Sequence, residues 1–159
     1  RGLTDLFIKS GGKMFKGDTV ISGKFDGNRI LSVRTAHIGD MDFAAKNFIL
    51  ASGSFFSNGM KSDRERAYEP ALGIDIESLP ERSRWFDADN FFGKQNYMGF
   101  GARLTSGAGL RASHEGKVVE NLFVAGAILG GCDPLYEGCG GGVAICSALH
   151  SADTILGKV

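Results

Sequence analysis

The sequence predicts an α/β fold: a few parallel strands, an antiparallel β-meander inserted ahead of them, a mixed covering segment and a closing helix. Three observations carry this reading. Two unbroken apolar runs, "FILA" at 48–51 and "LFVA" at 122–125, each give way to small residues and a glycine. Strands covered on both faces, as in parallel sheets, read as continuous apolar runs. Ahead of them, residues 20–33 alternate in character around the turn signal Asp26-Gly27-Asn28, the pattern of a hairpin. Behind the second run, a helical pattern starts directly after Gly140, Gly141 and Gly142. This order divides the chain into residues 1–60 (meander and first central strand), 61–108 (covering, substrate-side segment) and 109–159 (last strand and terminal helix).

In order along the chain, residues 2–9 read as a helix with Leu3, Leu6 and Phe7 on one face and Gly11 as its stop. The chain begins inside this pattern and not with Met, so we read it as the C-terminal part of a longer protein. Val20, Ser22 and Lys24 then alternate with Ile21, Gly23 and Phe25, residues 30–33 resume a strand, and 41–44 supply a third. Residues 61–92 are more polar, with Pro70, Pro80 and a charged run at 63–66, and read as loops and short helices that cover something. A strand near 110–113 and a turn at Glu115-Gly116-Lys117 precede the second apolar run. From Gly142 onward, Val143, Ile145, Cys146, Leu149 and Ile155 fall at helical spacing, which predicts a buried apolar face. Asp153 and Thr154 lie toward solvent, and Gly157 ends the helix.

Composition narrows the function classes. Lys and Arg (18) balance Asp and Glu (18), so no net field draws the chain to nucleic acid or anionic lipid. No apolar run approaches the ~20 residues needed to span a bilayer. Cys132, Cys139 and Cys146 are spaced by sevens, unlike zinc ligand pairs, which sit roughly two to four residues apart. No metal is therefore expected; Cys139 and Cys146 read as small residues at the helix start and on its buried face. An odd cysteine number fits a reducing compartment.

Glycine supplies 24 of 159 residues, well above the average share of about 7%. Where it ends an apolar strand it lets a ligand approach the backbone without meeting a Cβ, and in open α/β sheets ligands sit beyond the carboxyl ends of strands. Gly53 and Ser54 end the first run; Gly126 and Ala127 end the second. Gly140, Gly141, Gly142 and Val143 begin the helix, whose unpaired amides carry partial positive charge. These favour an electron-rich oxygen: a phosphate, or the ring edge of a flavin. The plainer reading at each position is a tight turn or close helix–strand packing. The dinucleotide fingerprint GxGxxG is absent, as is a P-loop; the former is expected upstream. His114, His150 and His37 read as solvated or structural. Arg103 and Arg111 could pair a phosphate, though surface arginine is the commoner case. Asp133-Pro134 reads as a turn start; Phe55, Phe56, Phe91 and Phe92 could floor a flavin site, though adjacent aromatics more often serve as core and cover. No catalytic residue is assigned.

These segments resemble the flavoprotein group that includes fumarate reductase and related two-domain dehydrogenases. There a meander leads into a strand ending in hydrophobics, Ala, Ser/Thr and Gly; the last strand reads N-L-[FY]-x-A-G; and a glycine-led helix closes against the flavin. Here they are "FILASGSFFSNGM", "GLRASHEGKVVENLFVAGAILGG" and "EGCGGGVAICSALHSADTILG". The last two are most similar to the C-terminal portion of the B-subunit family of anaerobic glycerol-3-phosphate dehydrogenases. The resemblance covers nearly the whole chain, densely over 47–60 and 109–157 and thinly over 61–103. It implies the C-terminal part of an FAD/NAD(P)-binding Rossmann-like fold and a flavin, FMN or FAD. As partners it implies other subunits of a dehydrogenase complex, with glycerol 3-phosphate a candidate ligand and no nucleic acid. The implied place is cytoplasmic, peripheral at the inner face of the cytoplasmic membrane. The implied activity is a share in oxidising glycerol 3-phosphate to dihydroxyacetone phosphate, with electrons passed to quinone in fumarate or nitrate respiration. Because substrate oxidation is placed in another subunit, this chain reads as an electron-relay partner; the fragment by itself, with half the flavin cradle upstream, is expected to be inactive. Two alternatives stay open: a related fumarate-reductase-like flavoenzyme with another substrate, and a non-catalytic assembly subunit.

Overall fold

The computed structural model describes residues 2–105, 107 and 109–158. Helix α1 (Gly2–Lys9) opens them and stops where Gly11 takes a left-handed φ of +87°. Its apolar face is there as expected but without cover among the described residues: Leu3, Leu6, Phe7 and Ile8 are all exposed.

The meander follows as β1 (Val20–Asp26), β2 (Arg29–Thr35) and β3 (Asp42–Ala44), an antiparallel sheet in the order β1-β2-β3. The turn between the first two strands is made by Gly27 and Asn28, and Gly27 supplies its positive φ of +55°. Next come β4 (Phe48–Leu50), the short pair β5 (Lys61–Ser62) and β6 (Ala67–Tyr68), then β7 (Ile76–Glu77), β8 (Gly101–Ala102), β9 (Arg111–His114) and β10 (Lys117–Val124). β10 is central in its sheet: it pairs parallel with β4, Leu122 opposite Phe48 and Val124 opposite Leu50, and antiparallel with β9. The two apolar runs therefore lie side by side. Among the described strands the parallel pairing is confined to this pair, fewer than the several expected. Coverage on both faces holds for β10, where residues 121–124 are all buried, but not for β4, where Ile49 is 46% exposed.

A single core joins the three segments read from the sequence. Ile30 of the meander, Met60, Leu72, Ile74, Trp85 and Phe100 of the middle, and Val119, Leu122 and Val124 of β10 belong to one buried cluster. Trp85 stands edge-on to Phe100, centroids 5.1 Å apart, and its indole N–H donates to the Leu79 carbonyl at 2.6 Å, so the large ring is buried without an orphan donor. Two buried polar side chains shape the backbone. Glu69, 2% exposed, accepts the amides of Ala71, Leu72 and Gly73 at 3.0, 2.6 and 2.9 Å. Asn121, 3% exposed, fastens the meander to β10. Its oxygen accepts the Ile30 amide at 3.0 Å, and its NH₂ donates to the carbonyls of Ile30 at 2.8 Å and Lys46 at 3.0 Å. Beside it, Glu120 takes Asn28 and Arg29 at 2.7 and 2.9 Å.

Candidate functional site

Because β4 and β10 run parallel, their carboxyl ends come out at one edge, and the Ala125 amide extends the pairing to the Leu50 carbonyl at 3.0 Å. Beyond β4 the chain folds tightly on itself. Ser54 Oγ accepts the Phe56 amide at 3.4 Å, and its carbonyl receives the amides of Ser57, Gly59 and Met60. Gly53 has φ +85°, and a Cβ there would meet Ser57 Oγ at 2.0 Å; the turn alone demands this glycine. Beyond β10, Gly126 at φ +75° swings the chain into a short 3₁₀ turn, Gly126–Ile128, whose Ile128 is fully buried.

Helix α2 (Gly140–Ile155) returns across these tips. It begins at Gly140, two residues earlier than the start at Gly142 read from the spacing, and no side chain caps its start at Cys139. The Val143 amide reaches the Cys139 carbonyl at 3.0 Å, which leaves the amides of Gly140, Gly141 and Gly142 as the helix's unpaired first turn.

The face that α2 buries differs from the one its hydrophobic spacing predicts. Ser147 and Ser151 are its buried residues, while Ile145, Leu149 and Cys146 are exposed. Ser151 Oγ donates to the Val124 carbonyl at 3.3 Å. Ser147 Oγ donates to the Val143 carbonyl at 2.5 Å and accepts the Gly126 amide at 2.9 Å. Small hydroxyl side chains allow close approach to the strand end and satisfy backbone groups that leucine would bury unpaired. Two serines four residues apart were the available signal.

The tips and the helix start line an apolar hollow of about 30 Å³, room for a water or two. Ser54, Gly126, Ala127, Gly140 and Val143 line it; Gly53, Gly141 and Gly142 do not. Its walls are mainly apolar, with Phe55, Met60, Met98 and Leu129 joined by Tyr97 and Cys132. Phe55 and Phe56 both reach the cavity, the latter 68% exposed. Phe91 and Phe92 are not core: they stand 79% and 96% exposed beside a second, wider cleft.

The remaining candidates lie elsewhere. His114 stacks on Phe25 with centroids 4.3 Å apart, His37 Nδ1 faces Asp18 at 3.2 Å, and His150 is exposed on α2. Arg111 lies over the Phe123 ring at 5.0 Å and donates to the Glu120 carbonyl at 3.0 Å, while Arg103 is exposed; neither lines the cavity. Asp133 starts the expected turn, its Oδ1 accepting the amides of Leu135 and Tyr136 at 3.1 and 3.0 Å. That turn brings Cys132 and Cys139 together, Sγ to Sγ 3.1 Å, with Glu137 close enough that the three form one possible ligand group. The Cys139 thiol beside it, then burial, pushes the Cys132 thiol up to about 12.

Residues 1–143 match the family described as FAD binding domain. The chain belongs to that family, a family of flavin-binding domains. Among curated relatives it is similar to the B subunit of anaerobic glycerol-3-phosphate dehydrogenase of Vibrio cholerae serotype O1 (strain M66-2), 40% identical over 152 residues, 94% of this chain and 34% of that protein. The subunit of the same name from Yersinia enterocolitica is 43% identical over 156 residues, 98% of this chain and 36% of that protein. The one from Yersinia pseudotuberculosis is 40% identical over 159 residues, 100% and 37% respectively. The chain thus spans about a third of the length of the curated relatives it matches. No solved structure matches it significantly.

The hollow matches a flavin in the chemistry of its lining and not in size: mainly apolar side chains and the strand-end Gly126 wall it, and a ring would need it to open. The uncapped helix start offers amides to an electron-rich ring oxygen.

Proposed function

We propose that this chain forms the flavin-facing end of a dehydrogenase subunit that takes part in anaerobic oxidation of glycerol 3-phosphate to dihydroxyacetone phosphate, with electrons passed to quinone. The observation that carries the reading is convergence: two parallel strand tips and an uncapped helix N-terminus meet at one apolar cavity. In the finer fold reading the β4–β10 pair belongs to an FAD/NAD(P)-binding Rossmann-like sheet, with the meander as an insertion.

A bound flavin supplies two-electron redox chemistry; position and electrostatics come from the chain. Gly126 admits close approach to the strand tip. Phe55, Met60, Met98, Leu129 and Val143 exclude water. The first-turn amides of α2 hold partial positive charge where an oxygen gains electron density. Ser54, Ala127 and Gly140 complete the cradle, while Gly53, Gly141 and Gly142 lie outside its lining.

Among the described residues the lining holds no Asp, Glu, His, Lys or Arg. Oxidising an alcohol calls for a base at the hydroxyl, and seating a phosphate calls for cations. In the electron-relay reading those groups come from outside this chain. No helix of the described residues is long and apolar enough to cross a membrane, so attachment of the complex to the inner face of the membrane is proposed to be peripheral.

The test is to purify the full-length protein, extract its chromophore and identify it. Flavin absorbance, with glycerol-3-phosphate-dependent dye reduction by the assembled complex, is the expected result. A colourless protein that still copurifies with partner subunits would overturn the reading in favour of an assembly role. Dye reduction driven by another substrate, with glycerol 3-phosphate inert, would replace the substrate.

A further inference from the structure

The loop between the strand tip and α2 gathers three reactive groups that flavin binding does not use. Cys132 and Cys139 are distant by zinc-motif standards, yet the turn around Asp133 folds the residues between them. Asp133 Oδ1 takes the amides of Leu135 and Tyr136, and its carbonyl takes the Glu137 amide at 2.9 Å. The sulfurs end 3.1 Å apart, about 1 Å beyond the bonded distance of roughly 2.05 Å. Glu137 Oε2 lies 3.5 Å from Cys139 Sγ. Both thiols are partly accessible, and both are free.

We propose that Cys132 and Cys139 form a reversible dithiol–disulfide site, closed by exchange with a low-molecular-weight disulfide, at the rim of the cavity. The order of attack follows from the surroundings. Cys132 holds its proton, because its neighbour thiol and burial raise it. Cys139 has a carboxylate beside it to take a proton and is therefore the attacking group. In the first step Cys139 gives its proton to Glu137 and attacks one sulfur of the external disulfide. A mixed disulfide forms, the external S–S bond breaks, and one small thiolate leaves. In the second, the Cys132 sulfur attacks Cys139 Sγ while its proton passes to the small thiolate. The Cys132–Cys139 bond forms and the second small thiolate departs, taking up the proton held on Glu137. Two protein thiols and one small disulfide become one protein disulfide and two small thiols; the protein loses two electrons and the small disulfide gains them.

Cys146 serves as an internal control. It is exposed on α2 and stands outside the cluster, so it can be capped but has no partner with which to close. Cys132 lines the cavity beside Pro134 and Gly140, so closure ties the loop to the helix start across the cavity rim. Only that consequence, altered ligand retention, rests on the flavin reading.

The test uses the full-length protein treated with oxidised glutathione, quenched in acid, alkylated and digested for mass spectrometry. We expect peptides joined through Cys132 and Cys139, lighter by two hydrogens and separated again by excess reduced glutathione. Cys139→Ser should abolish the joined product, Cys132→Ser should trap glutathione on Cys139, and Cys146→Ser should leave the bridge unchanged. Separate glutathione adducts on Cys132 and Cys139 with no joined peptide would overturn the proposal. So would protection of both thiols from alkylation by one equivalent of Zn²⁺ while glutathione disulfide forms no bridge, which would assign the trio with Glu137 to a metal. A bridge that forms in a colourless protein would support this site while counting against the flavin reading, so the two stand or fall separately.

Discussion

Replacing Asn121 by alanine should loosen the meander from β10 and lower stability by about 2–4 kcal/mol. The side chain makes three hydrogen bonds in the interior: one accepted from the Ile30 amide and two donated, to the Ile30 and Lys46 carbonyls. Both Asn121 and Ile30 are almost wholly buried, at 3% and 1%, so water cannot readily take over. A buried group stripped of its partner costs about 1–3 kcal/mol. The amide has a single hydrogen and loses everything, whereas each carbonyl keeps a second lone pair, and the sum falls short of three full penalties. Asn121→Asp separates charge from shape. Its oxygen still accepts the Ile30 amide, but the other oxygen now faces two carbonyls with nothing to donate at neutral pH. Its deficit should at least equal that of alanine at pH 7 and narrow in acid, where the protonated carboxyl donates once. Urea unfolding of the full-length protein reads the stability change, and hydrogen exchange reads the Ile30 amide directly. An alanine variant within 0.5 kcal/mol of wild type, with Ile30 protection unchanged, would refute the clamp.

Three further outcomes test the site and its support. Ser147→Ala removes the acceptor of the Gly126 amide and should cost about 1–2 kcal/mol while lowering flavin content of the purified protein; normal flavin retention would show that the serine only packs. Gly141→Asp has room, since nothing lies within 4 Å of its Cβ. A carboxylate at a helix start should hold or raise stability by about 0.3–1 kcal/mol; Gly141 lies outside the lining, so its repulsion of an electron-rich ring oxygen acts from beyond contact range and should weaken flavin binding by about 1 kcal/mol, roughly fivefold. Unchanged binding in that variant would take the helix start out of the site. The Asp18 carboxyl is held down to about 2 from an ordinary 3.8, by the nearby Thr35 hydroxyl first and then by the amides of Thr19 and His37. The two amides bond it at 2.8 and 3.0 Å, whereas Thr35 Oγ1 and Asp18 Oδ2 complete no hydrogen bond of good geometry, so the amides carry the larger share. Below 3.8 the unfolded chain binds the proton first, so the stability gained from this carboxylate is whole above pH 4 and drains away as pH falls toward 2. The difference between wild type and Asp18→Asn in urea midpoint should therefore be flat from pH 5 to 7 and shrink below 4; a constant difference down to pH 2 would refute it.

Local pattern and turn chemistry made much of this fold legible. The Asp26-Gly27-Asn28 signal placed the hairpin because its backbone needs the positive φ that Gly27 adopts. The two strand-to-glycine segments proved to be neighbours, β4 and β10. What stayed hidden depends on how elements meet. Helical spacing assigned the buried face of α2 to its largest apolar residues, but contact with a strand tip is decided by how near the backbones can come, and that selected Ser147 and Ser151. Spacing likewise could not pair Cys132 with Cys139, because their approach depends on the Asp133 turn and not on their separation. In the middle segment no spacing marks Glu69 as buried; three backbone amides converging on it explain why it is inside.

The same serine contact that defeated the hydrophobic pattern bears on the site. The Gly126 amide is a donor just past the tip of β10, and left free it would compete for any oxygen entering the cavity. Ser147 accepts that amide and donates its own hydroxyl to the Val143 carbonyl one turn back along α2. The free donors at this edge are then those of the first helical turn, Gly140 to Gly142, which have neither cap nor side chain of their own. A helix packed by leucines would stand farther from the strand and leave the Gly126 amide unpaired beside them. Close packing through small residues and an amide set reserved for an electron-rich ligand are thus one arrangement, and it is the Ser147→Ala and Gly141→Asp pair that can pull them apart.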